Sequence, residues 1–249
     1  AINQDSTALV IKVNDIYDGT ETSINNVFTN INLGTSAIKN LSRILSIKSF
    51  PNNVVATSEL TTKVTEGTTS VYVTVEVSSS ILLLPEKPMT GRFDNQKVGY
   101  FTNPLLSFSD AQQGTDKKHY ITRWRMEPKP EDREAYLKGQ TVEPIKPIVF
   151  YIDNSTPYQW RSYIKKGIED WQTAFEKAGF KNAIIAKEIT DSMHVDMDDV
   201  NYSVLTYAAS EKKNAMGPSL LDPRSGEILE ADIMWWHNVL SMVREWITV

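Results

Sequence analysis

Residues 147–181, PIVFYIDNSTPYQWRSYIKKGIEDWQTAFEKAGFK, constrain the fold more than any other stretch of the chain. Ile148 to Ile152 is an unbroken apolar run, as a strand covered on both faces requires. Thr156, Pro157 and Gln159 then supply an N-cap, a proline at the first helical position and a glutamine placed to close a capping box. Trp160, Ile164, Ile168, Trp171, Phe175 and Ala178 recur at steps of three and four, one stripe of a single long helix. Gly179 falls where a left-handed residue ends a helix, and Phe180 can fold back on the last turn. Ala183 to Ile189 supplies a second strand, so the stretch reads as a βαβ unit with parallel strands and a right-handed crossover.

The chain has 249 residues, enough for one large domain or two ordinary ones. A net charge of −5 without a basic run argues against nucleic acid or an anionic membrane surface as partner. Cysteine is absent, which excludes disulfides, thiolate zinc sites and a cysteine nucleophile. No apolar stretch reaches the length of a transmembrane helix. Ala1 is not preceded by a charged and then apolar leader, so any export signal is expected to have been removed or never to have existed.

Residues 1–126 read as a β-rich domain. Strands are expected over Ala8 to Val13, Leu41 to Phe50, Val54 to Val64 and Ile81 to Leu84. Val71, Val73, Val75 and Val77 alternate with Tyr72, Thr74, Glu76 and Ser78, a period-two pattern whose valine face is a core face. Glu66-Gly67 marks the turn of a hairpin. Met89 to Thr115 reads as loop and Tyr120 to Met126 as one more strand. Residues 127–147 carry four prolines around a short helix candidate, Glu131 to Lys138, and read as a linker or strap. Residues 148–249 form the second domain. After the βαβ unit come an acidic loop at 191–199, a strand over Tyr202 to Ala208, the turn DPRSG, a strand over Leu229 to Trp236, and a helix capped by Asn238. The apolar stripe of that helix is still running at Val249, so the chain reads as cut.

Single side chains offer little chemistry. His119, His194 and His237 are far apart in sequence, and a hydrogen-bonded histidine at a strand end is the favoured role for His237. Asp196, Asp198 and Asp199 lack the glycine and the bidentate glutamate of a helix-loop-helix calcium site and read as a solvated loop. The separation that a glycosidase carboxylate pair needs is not a sequence property. Trp235 and Trp236 point to opposite faces of their strand, one of them toward the sheet core, with a sugar-stacking platform as the livelier alternative.

Three stretches, EPKPEDREAYLKGQTVEPIKPIVFYID, WRSYIKKGIEDWQTAFEKAGFKNAIIAK and NAMGPSLLDPRSGEILEADIMWWHN, resemble the region upstream of the catalytic helix in a Bacteroidetes-type family of zincin-like zinc-dependent metallopeptidases. The residues before them, through VTVEVSSSILLLPEKPM and YITRWRMEPKP, resemble the uncharacterised β-rich domain that precedes the peptidase in the same proteins. The resemblance implies a mixed α+β and α/β chain: a β-rich domain, then a zincin-like half-domain. That half-domain would be a twisted, mostly parallel sheet with an antiparallel edge strand and one long backing helix. It also implies peptide-bond hydrolysis by the intact protein, which is secreted, periplasmic or on the cell surface. Zincins place zinc on two histidines one helical turn apart, with the intervening glutamate acting on the bound water. No HExxH occurs in this sequence, so the resemblance implies no metal ligand and no catalytic residue here, with zinc expected in the intact protein. It assigns Ala215, Met216, Gly217, Pro218, Ser219 and Leu220 to the edge strand, where an extended peptide pairs by main-chain hydrogen bonds. The alternatives are that Gly217 and Pro218 only shape a loop, and that the β-rich domain is a binding module for a glycan or protein on a non-catalytic carrier.

Overall fold

The computed structural model describes residues 12–19, 21, 27–31, 33, 36–190 and 192–248. The fold is mixed and strand-rich, with several sheets and a few helices. Two compact units divide it, Ala1–Leu83 and Leu84–Val249.

In the first unit, two short helices, α1 (Asn14–Tyr17) and α2 (Val27–Asn30), precede three antiparallel strands. These are β1 (Arg43–Ser49), β2 (Asn53–Glu66) and β3 (Thr69–Leu82), in the order β1-β2-β3. β2 and β3 pair without interruption from Asn53↔Leu82 to Glu66↔Thr69 around a turn at Gly67, whose φ of 60° is a left-handed value suited to glycine. The valine face does serve a core: Val75 and Val77 pack on the cluster of Phe28, Ala37 and Leu60. Val71, at the far end of the ribbon, is exposed. Ile81 and Leu82 prolong β3 and are not a separate strand. The strand expected over Ala8 to Val13 falls outside the described residues except for Lys12 and Val13, which lead into α1.

The second unit opens with an antiparallel pair, β4 (Thr102–Ser107) and β5 (Asp116–Ile121). β4 lies in the stretch expected to be loop, and β5 begins four residues before the expected strand. The proline-rich segment 127–147 packs onto its own unit. Val142 is buried, its N–H donating to Gly179 O at 3.0 Å and its carbonyl accepting Lys181 N–H at 2.9 Å. Helix α3 (Arg133–Leu137) occupies the expected helical stretch.

Then come β6 (Ile148–Ile152), α4 (Tyr158–Glu169), α5 (Gln172–Lys177), β7 (Ile184–Glu188), β8 (Ser203–Ala208), β9 (Ala215–Met216), β10 (Ser219–Asp222), β11 (Glu227–Ala231), β12 (Ile233–Trp236) and α6 (Val239–Thr248). Five of the strands form one sheet in the order β7-β6-β8-β12-β9. The first four are parallel, and β9 runs antiparallel at the edge. The βαβ reading therefore holds, with β6 and β7 adjacent and parallel. Ile148, Phe150 and Ile152 of β6 meet Ile168, Ala186 and Leu205 in the core.

The helix differs from its expected form in two ways. It is two helices, because the chain tightens at Trp171, whose N–H bonds Ile168 O at 3.4 Å, three residues back. One residue later the Gln172 side chain turns to the strand: its Oε1 accepts Ala183 N–H at 2.8 Å and its Nε2 donates to Phe180 O at 3.0 Å. The capping box does not form either. Thr156 N–H donates to Asp153 O in a turn, its buried hydroxyl has no hydrogen-bond partner among the described residues, and α4 starts after Pro157 without a side-chain cap. The C-terminal signal is realised: Gly179 has φ 91°, Phe180 N–H reaches Phe175 O at 2.8 Å, and Gly179 N–H reaches Glu176 O at 2.9 Å.

A Cβ at Gly179 would lie 2.7 Å from the Tyr136 ring, whereas one at Gly139, also left-handed, would meet nothing within 4 Å. Gly179→Ala should lower stability by about 2 kcal/mol and Gly139→Ala by about 1 kcal/mol. Urea unfolding midpoints of the two variants measure the difference.

Candidate functional site

Ala215 to Leu220 form the first half of an antiparallel arm along the sheet edge. Ala215 and Met216 pair with Trp235 and Met234, and Ser219 and Leu220 pair with Ala231 and Glu230. Between the two pairings, Asp232 N–H donates to Pro218 O at 3.0 Å. The six residues thus follow one continuous partner but belong to two sheets, with Gly217 and Pro218 as the joint. All six are exposed, and among the described residues no strand pairs with their outer side. Gly217 is not in the left-handed region, and a Cβ there would make only ordinary contact, 3.7 Å from Asp232 O.

The partner strand, expected to run unbroken from Leu229 to Trp236, is divided at Asp232 into β11 and β12. The side chains explain the break. Asp232 Oδ1 accepts Val204 N–H at 2.8 Å, and one residue earlier Ala231 N–H donates to Ser203 Oγ at 3.1 Å. Side chains therefore replace main-chain pairing at the point where the strand leaves the β10–β11 hairpin and joins β8.

The far end of the hairpin is held by the DPRSG turn. Asp222 is fully buried, accepts Arg224 N–H at 2.9 Å, and receives the Arg224 guanidinium at 2.7 Å. That guanidinium also donates to Pro85 O at 2.6 Å. Gly226 has φ 75°, and a Cβ there would collide with Ile121 O at 2.5 Å. Glu227 lies 3.9 Å from Arg125. Burial, followed by a hydrogen bond with Asp232 and the charge of Asp232, pushes the Glu230 carboxyl up to about 8.

On the face of the sheet that carries α4 lies a cavity of about 840 Å³. Its walls are apolar and aromatic, with Trp124, Trp160, Trp171, Phe150 and Trp235 among them. Trp235 and Trp236 take opposite faces as expected. Trp235 lines the cavity, while Trp236 is buried on the other side with the Lys212 ammonium 4.0 Å from its ring centre.

The histidines stand apart in function. His237 Nδ1 lies 2.7 Å from the Tyr207 hydroxyl, the strand-end hydrogen bond anticipated for it, and His119 Nδ1 lies 3.3 Å from Thr102 Oγ1. In the acidic loop, Asp196 Oδ1 accepts Asp198 N–H at 3.0 Å and Asp199 Oδ1 accepts Asn201 N–H at 3.0 Å, so these carboxylates shape turns. Among the described residues, no group of three His, Asp or Glu side chains is arranged to hold a metal ion.

A family model described as a domain of unknown function, DUF5117, matches residues 1–129, slightly more than half of the chain. The chain belongs to the DUF5117 family. Neither a curated protein nor a solved structure matches it. The DUF5117 segment takes in the β1–β3 sheet, the β4–β5 pair and Trp124 of the cavity wall, and ends before the edge arm. Among the described residues, no helix is long and apolar enough to cross a membrane.

Sequence reasoning named the arm but missed its fastening. The available signal was Glu230-Ala-Asp232, two carboxylates on one face in the middle of an otherwise apolar strand. The hairpin end gives a direct test. The Arg224 hydrogen bond holds Asp222 below the ordinary carboxyl range, so its stabilisation is present above that range and is lost as pH falls through the lowered value. Asp222→Asn should cost about 1–3 kcal/mol in urea unfolding at neutral pH, and the cost should shrink toward zero in strong acid.

Proposed function

We propose that the chain is the N-terminal part of a zinc-dependent metallopeptidase, supplying the scaffold and the strand along which an extended peptide substrate lies. One observation carries this reading. The last strand of an otherwise parallel sheet is antiparallel and exposed and, among the described residues, unpaired on its outer side, as β-augmentation by a peptide requires. Main-chain donors and acceptors on such an edge hold a substrate by shape, leaving its side chains to be read elsewhere. The long resemblance from Glu127 through Asn238 and the sheet order β7-β6-β8-β12-β9 support a zincin-like half-domain. The aromatic cavity beside α4 supports it too, as an apolar face on which a further helix of the intact protein would pack. In this reading the reactive zinc and its histidines come from that helix, and the intact protein acts outside the cytoplasm.

A second reading has its own support. Tyr100, Phe101 and Phe108 of the DUF5117 segment are exposed, Phe101 by 91%, as aromatic contacts of a glycan- or protein-binding module would be.

The test compares the present chain with the polypeptide encoded by the whole gene. The chain alone should retain no stoichiometric zinc after dialysis and should leave casein intact. The whole polypeptide should hydrolyse casein and lose that activity to a chelator. Zinc held by the chain alone, or chelator-insensitive hydrolysis by the whole polypeptide, would contradict the proposal. Binding to a glycan array that Phe101→Ala abolishes would favour the second reading.

A further inference from the structure

The pair of carboxyl groups at the seam between β11 and β12 has no part in peptide pairing. Glu230 and Asp232 are two positions apart, and after burial it is Asp232 that raises the Glu230 carboxyl most. Glu230 is 8% exposed, and its Oε1 has no partner among the described residues. Opposite it in β10 stands Leu220, an apolar neighbour, and β8 contributes the Ser203 hydroxyl and the Val204 N–H beside Asp232. The other charges of the hairpin are engaged at its far end, Asp222 with Arg224 and Glu227 with Arg125. Among the described residues, no cation forms an ion pair with either carboxyl.

Asp232 is also the residue that fastens the arm. Its N–H holds Pro218 O, and its carboxylate holds the central strand at Val204. We propose that protonated Glu230 latches the edge arm 215–222 onto the sheet, and that ionisation of Glu230 releases the arm. A neutral Glu230 donates to the Asp232 carboxylate and leaves it free to accept Val204 N–H. An ionised Glu230 brings two negative charges into contact, with one oxygen shut away from any donor. Opening of the β10–β11 pairing at Leu220, the cross-strand neighbour of Glu230, would let water reach that oxygen, and the register already slips there, between Leu220 and Leu221.

The direction follows from linkage. With the arm closed, Glu230 keeps its proton up to about pH 8, whereas with the arm open it returns to the ordinary carboxyl value of 4.5. The closed arm binds the extra proton, so closure is favoured at low pH and weakens as pH rises through that window. The device goes beyond the peptidase reading, since it governs access to the edge whatever binds there.

Hydrogen exchange of the whole chain, corrected for intrinsic amide rates and followed from about pH 5.5 to about pH 9, tests it. The opening equilibrium for Asp232 N–H and the β10–β11 amides should rise about tenfold per pH unit and level off above about pH 8. Amides between β6 and β7 should show no such slope. In Glu230→Gln, which mimics the protonated acid, the slope should vanish with the arm kept closed. A flat profile in the unmodified chain, or an unchanged slope in the variant, would overturn the proposal. Should Glu230→Gln fail to fold, the 13C shift of the Glu230 carboxyl decides it: a midpoint near 8 supports the latch, and one near 4.5 overturns it.

Discussion

A single aspartate decides where the edge of the main sheet lies. At Asp232 the strand coming from the β10–β11 hairpin must leave one sheet and enter another, and no main-chain ladder can serve both. The carboxylate resolves this by accepting Val204 N–H at 2.8 Å while the same residue's N–H keeps hold of Pro218 O at 3.0 Å. Without it, β12 would enter its four-residue ladder with β8 lacking the hydrogen bond to Val204 that precedes the first pair, Ile233↔Leu205. Removing an acceptor from a partly buried N–H costs more than the hydrogen bond itself is worth, because the donor is left without water. The outward position of Ala215 to Leu220 is thus a consequence of polar chemistry at the seam.

The two faces of the same sheet are treated unequally. On one, Trp236 is buried beside Lys212. On the other, Ile148, Phe150, Ile168 and Leu205 make a tight centre, yet the outer part of the α4–α5 stripe stands open, with Trp171 65% exposed on the cavity wall. Apolar surface of that size on a helix–sheet face loses the stabilisation that burial gives elsewhere, about 25 cal/mol per Å². This asymmetry is what makes the sheet look like a support for another element and not a finished core.

The legibility of the sequence follows the range of the forces involved. β6, the helical stripe, the Gly179 terminus and β7 were readable because their signals are local: an apolar run, a 3.6-residue period, a glycine followed by an apolar residue. The break at Trp171 was not, because it accompanies Gln172 reaching a strand eleven residues on. β4 was hidden by its own composition, TNPLLS with a proline, and its strand character comes only from pairing with β5, where Pro104 can sit without a second neighbour. The candidate arm was locatable from its resemblance and from Gly217-Pro218, but the exchange of sheets at Asp232 depends on Val204 and Ser203, nearly thirty residues earlier. Glu230-Ala-Asp232 marks the seam locally, but that pattern does not name the distant partners.

On the proposed reading, the outer side of the 215–222 arm receives an extended chain. The most direct measurement is isotope-filtered NMR of the present chain with an unstructured peptide, reading contacts between the two main chains. The account predicts cross-strand contacts between peptide backbone protons and those of Ala215 to Leu220. Contacts confined to the aromatic side chains around Phe101, with the arm untouched at saturating peptide, would contradict it.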